Sequence, residues 1–145
     1  MKVYVTENEN IKDVEVQIHC EKKTSDVERL TNYVRAYGQI ITGKLDGQIV
    51  NVNIRDVLYF ESVDDTTFIY TRDKILKSTM KLYEIEEQFD KSLFFRCSKS
   101  AIVNLGKITR LKPEITRNIL ATLVNGEVIV ISRRYAPDLK KKLGI

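Results

Sequence analysis

Apolar and polar residues alternate along most of this chain with a period of two, which puts successive side chains on opposite faces of a β-strand. Residues 14–20, Val-Glu-Val-Gln-Ile-His-Cys, are the first such run and predict a strand. The period then lengthens. Ser25-Asp26-Val27-Glu28 has the pattern of a helix start, with Ser25 as N-cap and Glu28 closing a capping box. Val27, Leu30, Val34 and Tyr37 follow at helical spacing, and Gly38 is a natural stop. Residues 39–45 and 48–53 predict two strands joined at Asp46-Gly47, a strong hairpin signal.

From there the chain reads mostly as β. Residues 57–62 predict a strand, Asp64-Asp65-Thr66 a turn, residues 67–71 a second strand, and Arg72-Asp73 a turn into residues 74–77. Thr79 is placed to cap a short helix that turns Leu82, Ile85 and Phe89 inward and Glu84, Glu86 and Glu87 outward. A strand run starts at Phe94, residues 108–112 form another that ends at Pro113, and residues 119–124 and 127–131 pair across Asn125-Gly126. Ser132 can cap a last turn or helix carrying Tyr135, Leu139 and Leu143, with Pro137 tolerated in its first turn. The expected fold class is therefore mainly β with short helices, an α+β chain.

The run from Phe94 to Leu105 carries the most chemistry. Phe95 and Cys97 alternate with Arg96, Ser98 and Ser100, and Lys99 sits where the strand can break into a loop. The outward set offers a guanidinium and hydroxyls. None of these is a natural general base, but all suit phosphate oxygens and base edges. Charge sharpens this reading. Residues 1–90 hold 12 Lys+Arg and 17 Asp+Glu, a net of −5, whereas residues 91–145 hold 12 and 3, a net of +9. A basic stretch of that kind is the electrostatic footprint of a polyanion binder, or else a solvated basic face. The basic residues are spread over strands rather than along one amphipathic helix, which argues against a lipid surface.

The remaining composition excludes more than it selects. The 145 residues are 43% hydrophobic, enough for the core of one domain with a small extension. No apolar run approaches the roughly 20 residues that span a bilayer, and no signal-peptide core follows Met1. Cys20 and Cys97 lie far apart and are not a metal-spaced pair, so a reducing compartment, the cytoplasm, is expected. No phosphate-binding glycine loop is present. With His19 the sole histidine, no nucleophile–base pair is recognisable, and neither an enzyme nor a cofactor is expected.

Several motifs in fixed order carry a resemblance. They are Ile54-Arg55-Asp56-Val57-Leu58-Tyr59-Phe60-Glu61-Ser62, a short acidic helix, the run from Phe94 to Asn104, Asn125-Gly126, and Ile131-Ser132-Arg133-Arg134-Tyr135. Over roughly residues 40–145 the chain resembles the LytTR family of bacterial DNA-binding domains. The resemblance implies an elongated, mostly antiparallel β domain of small sheets in series, whose loops enter successive major grooves of double-stranded DNA. It implies base reading by Thr66 with Asp65 beside it, by Lys99, and by Arg134 with Arg133. Lys99 and Arg134 can donate to guanine O6 and N7, and Arg134 can do so bidentately.

Ser98, Ser100, Lys74, Lys77, Lys107 and Arg110 are the phosphate candidates, and Asn104 suits either a DNA contact or a turn-bonding role. About 40 residues precede the β region, fewer than a phosphoacceptor receiver domain needs, so the resemblance is to stand-alone members of the family. It implies a homodimer on direct repeats, restrained by a small membrane-bound inhibitor protein encoded nearby. The expected division is 1–37, a strand–helix extension that packs or dimerises through Leu30, Val34 and Tyr37, and 38–145, the DNA-binding domain. The alternative is an RNA-binding or protein-interaction β module with a basic face.

Overall fold

The computed structural model describes all of residues 1–145, and its architecture follows from where the alternating runs can bury one or both faces. After helix α1 (Ser25–Ala36) come strands β1 (Ile40–Leu45), β2 (Gln48–Asn53), β3 (Val57–Val63), β4 (Thr66–Thr71) and β5 (Ile75–Ser78), then helix α2 (Leu82–Gln88). Strands β6 (Phe94–Ser98), β7 (Ala101–Asn104), β8 (Ile108–Pro113), β9 (Ile119–Leu123) and β10 (Val128–Ile131) follow, and helix α3 (Ala136–Leu143) closes the chain. Single 3-10 turns, Ile54–Asp56 and Leu105–Lys107, lead into β3 and β8. Seven strands form one sheet in the order β2-β1-β5-β4-β3-β7-β6, and three form a second in the order β10-β9-β8. All pairings are antiparallel. The fold is thus mostly antiparallel β with three short helices, as expected from the sequence.

The large sheet is covered on both faces, so it carries two cores. On one face Leu76, Ile69, Phe60 and Ile102 stand in register across β5, β4, β3 and β7. They pack with Ile41, Val52 and Ile54, with Ala36 of α1, and with Leu82, Ile85 and Phe89 on and just after α2. On the other face Leu58, Tyr59, Cys97 and Val103 meet Ile119, Ala121, Leu123 and Ile131 of the small sheet and Ala136 and Leu139 of α3. Burying each such side chain contributes about 1.5–3 kcal/mol relative to leaving it exposed. One polar contact, from Tyr59 to Glu127, crosses this second interface, and contacts within the large sheet orient Tyr59 for it. The Tyr59 and Tyr70 rings stack at 4.2 Å and 8°. The Tyr59 hydroxyl donates to Glu127 Oε2 at 2.8 Å, and the Tyr70 hydroxyl donates to Glu61 Oε1 at 3.2 Å. Burial, reinforced by these carboxylates, raises the pKa of both phenols, so they stay protonated donors. Burial also pushes the Cys97 thiol up to about 12, which makes it a core residue rather than a reactive one.

The N-terminal part departs from expectation. Residues 14–20 join no sheet, and residues 12–23 make no backbone–backbone hydrogen bond. Alternation specifies which way side chains point but not which strand lies alongside, and this chain supplies no neighbour. Helix α1 starts one residue early: Thr24, not Ser25, is its N-cap, and its hydroxyl accepts from Val27 N at 3.4 Å. The helix docks through Ala36, while Leu30 and Val34 are only partly buried and Tyr37 is 72% exposed. The Arg55 guanidinium lies 4.5 Å from the Tyr33 ring centroid, and Ser92 Oγ donates to Asn32 Oδ1 at 2.8 Å, which anchors α1 to the β region. Thr79 does not cap α2. The helix begins after Lys81, whose N–H donates to Glu84 Oε1 at 3.0 Å. The last helix begins where the Ser132 carbonyl, rather than its hydroxyl, accepts from Tyr135 N and Ala136 N at 2.8 and 3.0 Å.

One position in the large sheet admits no side chain. A Cβ on Gly43 of β1 would stand 2.7 Å from Leu76 Cβ and 3.2 Å from Ile69 Cδ1. Gly43→Ala is expected to destabilise the fold by about 1–3 kcal/mol, the usual cost of overpacking a filled core. Urea unfolding with an unchanged m-value is the check.

Candidate nucleic-acid interface

Strand direction decides which turns share an end of the molecule. β3 runs toward Val63 and pairs with β7 so that Glu61 faces Ala101, and Ser62 N donates to the Ser100 carbonyl at 2.8 Å. The β3–β4 turn therefore lies beside the β6–β7 turn. β10 ends next to β6, where Ser132 N donates to the Cys97 carbonyl at 2.8 Å. Arg133 and Arg134 thus emerge beside Ser98 and Lys99. The β8–β9 loop reaches the same end, and its Asn118 Oδ1 accepts from Arg133 N at 2.8 Å. Four separate stretches of chain meet there, bringing together Thr66, Ser98, Lys99, Ser100, Arg133 and Arg134. The exposed Arg117 lies in the adjoining loop.

Each turn is held in shape by its own chemistry. Asp64 and Asp65 both take positive φ, 49° and 62°, and close β3–β4 as a tight two-residue hairpin. Lys81 Nζ donates to the Asp65 carbonyl at 3.0 Å and sets a positive charge beside the two acids. In the β6–β7 turn Ser100 N donates to Ser98 Oγ at 3.2 Å. Arg96 braces this turn from below. Its Nε donates to the Ser98 carbonyl at 2.7 Å, its Nη2 donates to the Lys99 carbonyl at 2.5 Å, and its Nη1 pairs with the Glu86 carboxylate of α2. The alternation marks Arg96 as an outward phosphate donor. The structure spends its whole guanidinium inside the protein, because α2 covers that face. Lys99, Arg133 and Arg134 take part in none of the four ion pairs of the chain. They are exposed cations without a carboxylate partner, and the Arg134 guanidinium rests 5.8 Å from the Tyr135 ring centroid.

Five candidates lie elsewhere. Asn104 is 1% exposed: its Nδ2 donates to the Val57 carbonyl at 2.8 Å, and its Oδ1 accepts from Gly106 N at 2.9 Å. Both ends of its amide are used to secure the 3-10 turn, so it is a structural residue and not a DNA contact. Lys107 follows β7 and therefore stands at the opposite end, where its carbonyl accepts from Val124 N at 2.9 Å. Lys74 shares that far end, in the turn that follows Thr71. Lys77 is exposed on the face of the large sheet, in register with Phe68 and with Lys44. Arg110 projects from β8, an edge strand of the small sheet. Sequence reasoning missed the bracing role of Arg96 and the part of Asn118. Only an arginine two residues before a Ser-Lys-Ser turn hinted at the first.

The class this arrangement defines is a β-scaffold binding domain that presents cationic turns at one end. No group of three His, Cys, Asp or Glu side chains is gathered for a metal, and no helix is long and apolar enough to cross a membrane. The chain belongs to the LytTR family: the profile of the LytTr DNA-binding domain matches residues 47–144. Among solved structures it resembles the LytTr DNA-binding domain of a methyl-accepting/DNA response regulator from Bacillus cereus. The TM-score is 0.70 with 29% identity, over 73% of this chain and 97% of that one. Over 100% of its length it is 30% identical to an uncharacterized HTH-type transcriptional regulator of Staphylococcus aureus (strain NCTC 8325 / PS 47), of which it covers 99%. A counterpart from the bovine strain RF122 / ET3-1 is 31% identical over the same span. Those relatives are named for a helix-turn-helix. In this chain strands separate each helix from the next.

The Arg96 brace has a direct test. Arg96→Ala is expected to speed amide hydrogen exchange at Ser100, whose N–H is bonded within the turn, by about tenfold or more, as removing hydrogen bonds from a turn lowers its local opening energy. Arg96→Lys should not restore protection, since one ammonium cannot span two carbonyls and a carboxylate as the planar fork does.

Proposed function

We propose that this protein is a sequence-specific, double-stranded DNA-binding regulator of transcription, and that it reads DNA with the end of the β scaffold that carries Thr66, Lys99, Arg133 and Arg134. The observation that carries this reading is the convergence of turns from distant parts of the chain, three of which bring exposed cations, Lys99, Arg117 and the Arg133–Arg134 pair, that join no ion pair. The family membership and the regulators named among the relatives support it.

The mechanism has two energetic layers. Ser98, Ser100, Thr66, Arg133 and the more distant Lys77 face phosphates, supply affinity and release counterions, so log K falls as log salt rises. Lys99 and Arg134 meet base edges, with guanine O6 and N7 as the matching acceptors. Asp65 beside Thr66 repels phosphate and has cytosine N4 as its natural partner. Turns from two sheets, side by side, suit neighbouring stretches of one duplex better than a single recognition helix in one groove. In this reading residues 38–145 form the DNA-binding unit, and residues 1–37 are an extension with another task.

The test uses the full chain and a duplex selected from a randomised pool at physiological salt, compared with a scrambled duplex. Arg134→Ala should reduce the preference for the selected duplex by roughly 5- to 150-fold, the equivalent of about 1–3 kcal/mol for a bidentate base contact. Lys107→Ala, at the far end, should leave both affinities and the salt slope unchanged. Equal weakening of both duplexes by Arg134→Ala would falsify its assignment to base reading.

A further inference from the structure

The β8–β9 loop stands at the cationic end with an apolar tip. Glu114 N donates to the Asn118 carbonyl at 2.9 Å, and Arg117 N donates to the Glu114 carbonyl at 3.0 Å. These bonds close a three-residue loop, Ile115-Thr116-Arg117, in which Arg117 takes a φ of 71°. A left-handed residue is usual at the end of such a loop, and the place commonly goes to glycine. An arginine there accepts local strain and sets a guanidinium at the turn. Ile115 is 103% exposed, so its side chain rests on nothing in the chain. The loop is nevertheless fixed in place. Asn118 Oδ1 accepts from Arg133 N at 2.8 Å, which ties the loop to the corner that carries Arg134. The next residue, Ile119, is 2% exposed in the core between the sheets. A β-branched side chain is stiff at χ1. Ile115 is therefore a rigid apolar knob held beside the arginines of this end.

On the proposed DNA reading, on which this step rests, the geometry points to Ile115 as a specificity-determining residue that packs on the C5-methyl group of a thymine in the major groove, next to the base read by Arg134. Chemistry selects that partner. A phosphate oxygen offers an isoleucine side chain nothing, so the tip is no backbone anchor. The base edges of the major groove carry polar donors and acceptors and one apolar group, the thymine methyl. Contact between that methyl and Ile115 removes apolar surface from water on both sides. Arg117 and Arg133 flank the tip, and their guanidiniums meet the phosphates that border the groove and hold the tip against it. Val63 and Thr66 also offer methyl groups at this end, but they flank Asp64 and Asp65, whose carboxylates suit cytosine N4. Lys99 and Arg134 have guanine as their matching base. Ile115 adds thymine to what the same end can distinguish.

The experiment titrates the full chain with the duplex selected from the randomised pool, and with copies in which each thymidine in turn is replaced by deoxyuridine. That replacement removes the C5-methyl and nothing else. At one position it should weaken binding roughly fourfold, the effect of one buried carbon. Ile115→Ser changes a side chain that touches nothing in the chain, so its far-UV circular dichroism should match the wild type. It should bind the selected duplex roughly fourfold more weakly and should no longer distinguish thymidine from deoxyuridine at that position. Val128→Ser alters an exposed side chain at the far end of β10 and should keep the full distinction. A wild type indifferent to every deoxyuridine, or a distinction that survives Ile115→Ser, would overturn the inference. Either result would leave the preference for the selected duplex, and so the DNA reading, intact. A pool that yields no preferred duplex would instead overturn the DNA reading, and the thymine contact with it.

Discussion

The burial of Leu58, Tyr59, Cys97 and Val103 beneath the three-stranded sheet is the constraint on which the cationic end depends. Without it the small sheet would have no fixed place, and β10 would not end beside β6. With it, one backbone hydrogen bond from Ser132 to Cys97 sets the Arg133–Arg134 corner next to Lys99. The interface is a mixture of apolar area and oriented polar contacts. Apolar burial supplies most of the free energy, and the Tyr59–Glu127 bond selects one relative placement of the two sheets.

Electrostatics then gives that end its character. The chain has fewer acids than bases, and two of the acids close by are engaged within the protein. Glu86 is held by Arg96, and Glu84 caps its own helix at Lys81 N. Asp64 and Asp65, with Lys81 reaching to the Asp65 carbonyl beside them, and Glu114 in the β8–β9 loop join no ion pair. The cations of the other turns are left without neutralising neighbours. Exposed ion pairs stabilise a fold by little, so leaving these charges free costs the protein almost nothing while keeping them available to a partner.

Much of this was legible in the sequence, and the reasons differ by residue. Asp46-Gly47 and Asn125-Gly126 announce hairpins because glycine readily takes the positive φ found at both, and the flanking alternation says which strands they join. Leu82, Ile85 and Phe89 mark the inner face of α2 by spacing alone, and all three are buried. The misreadings share one cause, because a local pattern fixes local geometry and leaves the tertiary neighbour open. Residues 14–20 have strand character and no strand beside them. Arg96 points outward from its strand, into a helix that the strand pattern does not reveal. Asn104 left two roles open, a DNA contact or a turn bond, and only the 3-10 turn folded over it decides for the second. Lys107 is different: counting strand reversals from Lys99 through β7 puts it at the far end, and that information was present in the order of elements.

The shared core and the Tyr59–Glu127 link tie both sheets into one body, so Lys99 on the large sheet and Arg134 on the small one keep a fixed separation. A duplex that engages both must bring its grooves to that spacing, because the protein has no hinge there to yield. Sites whose base steps bend cheaply would then be favoured even at positions no side chain touches. The rigidity of an internal contact between two sheets would thereby enter DNA selectivity as a mechanical filter.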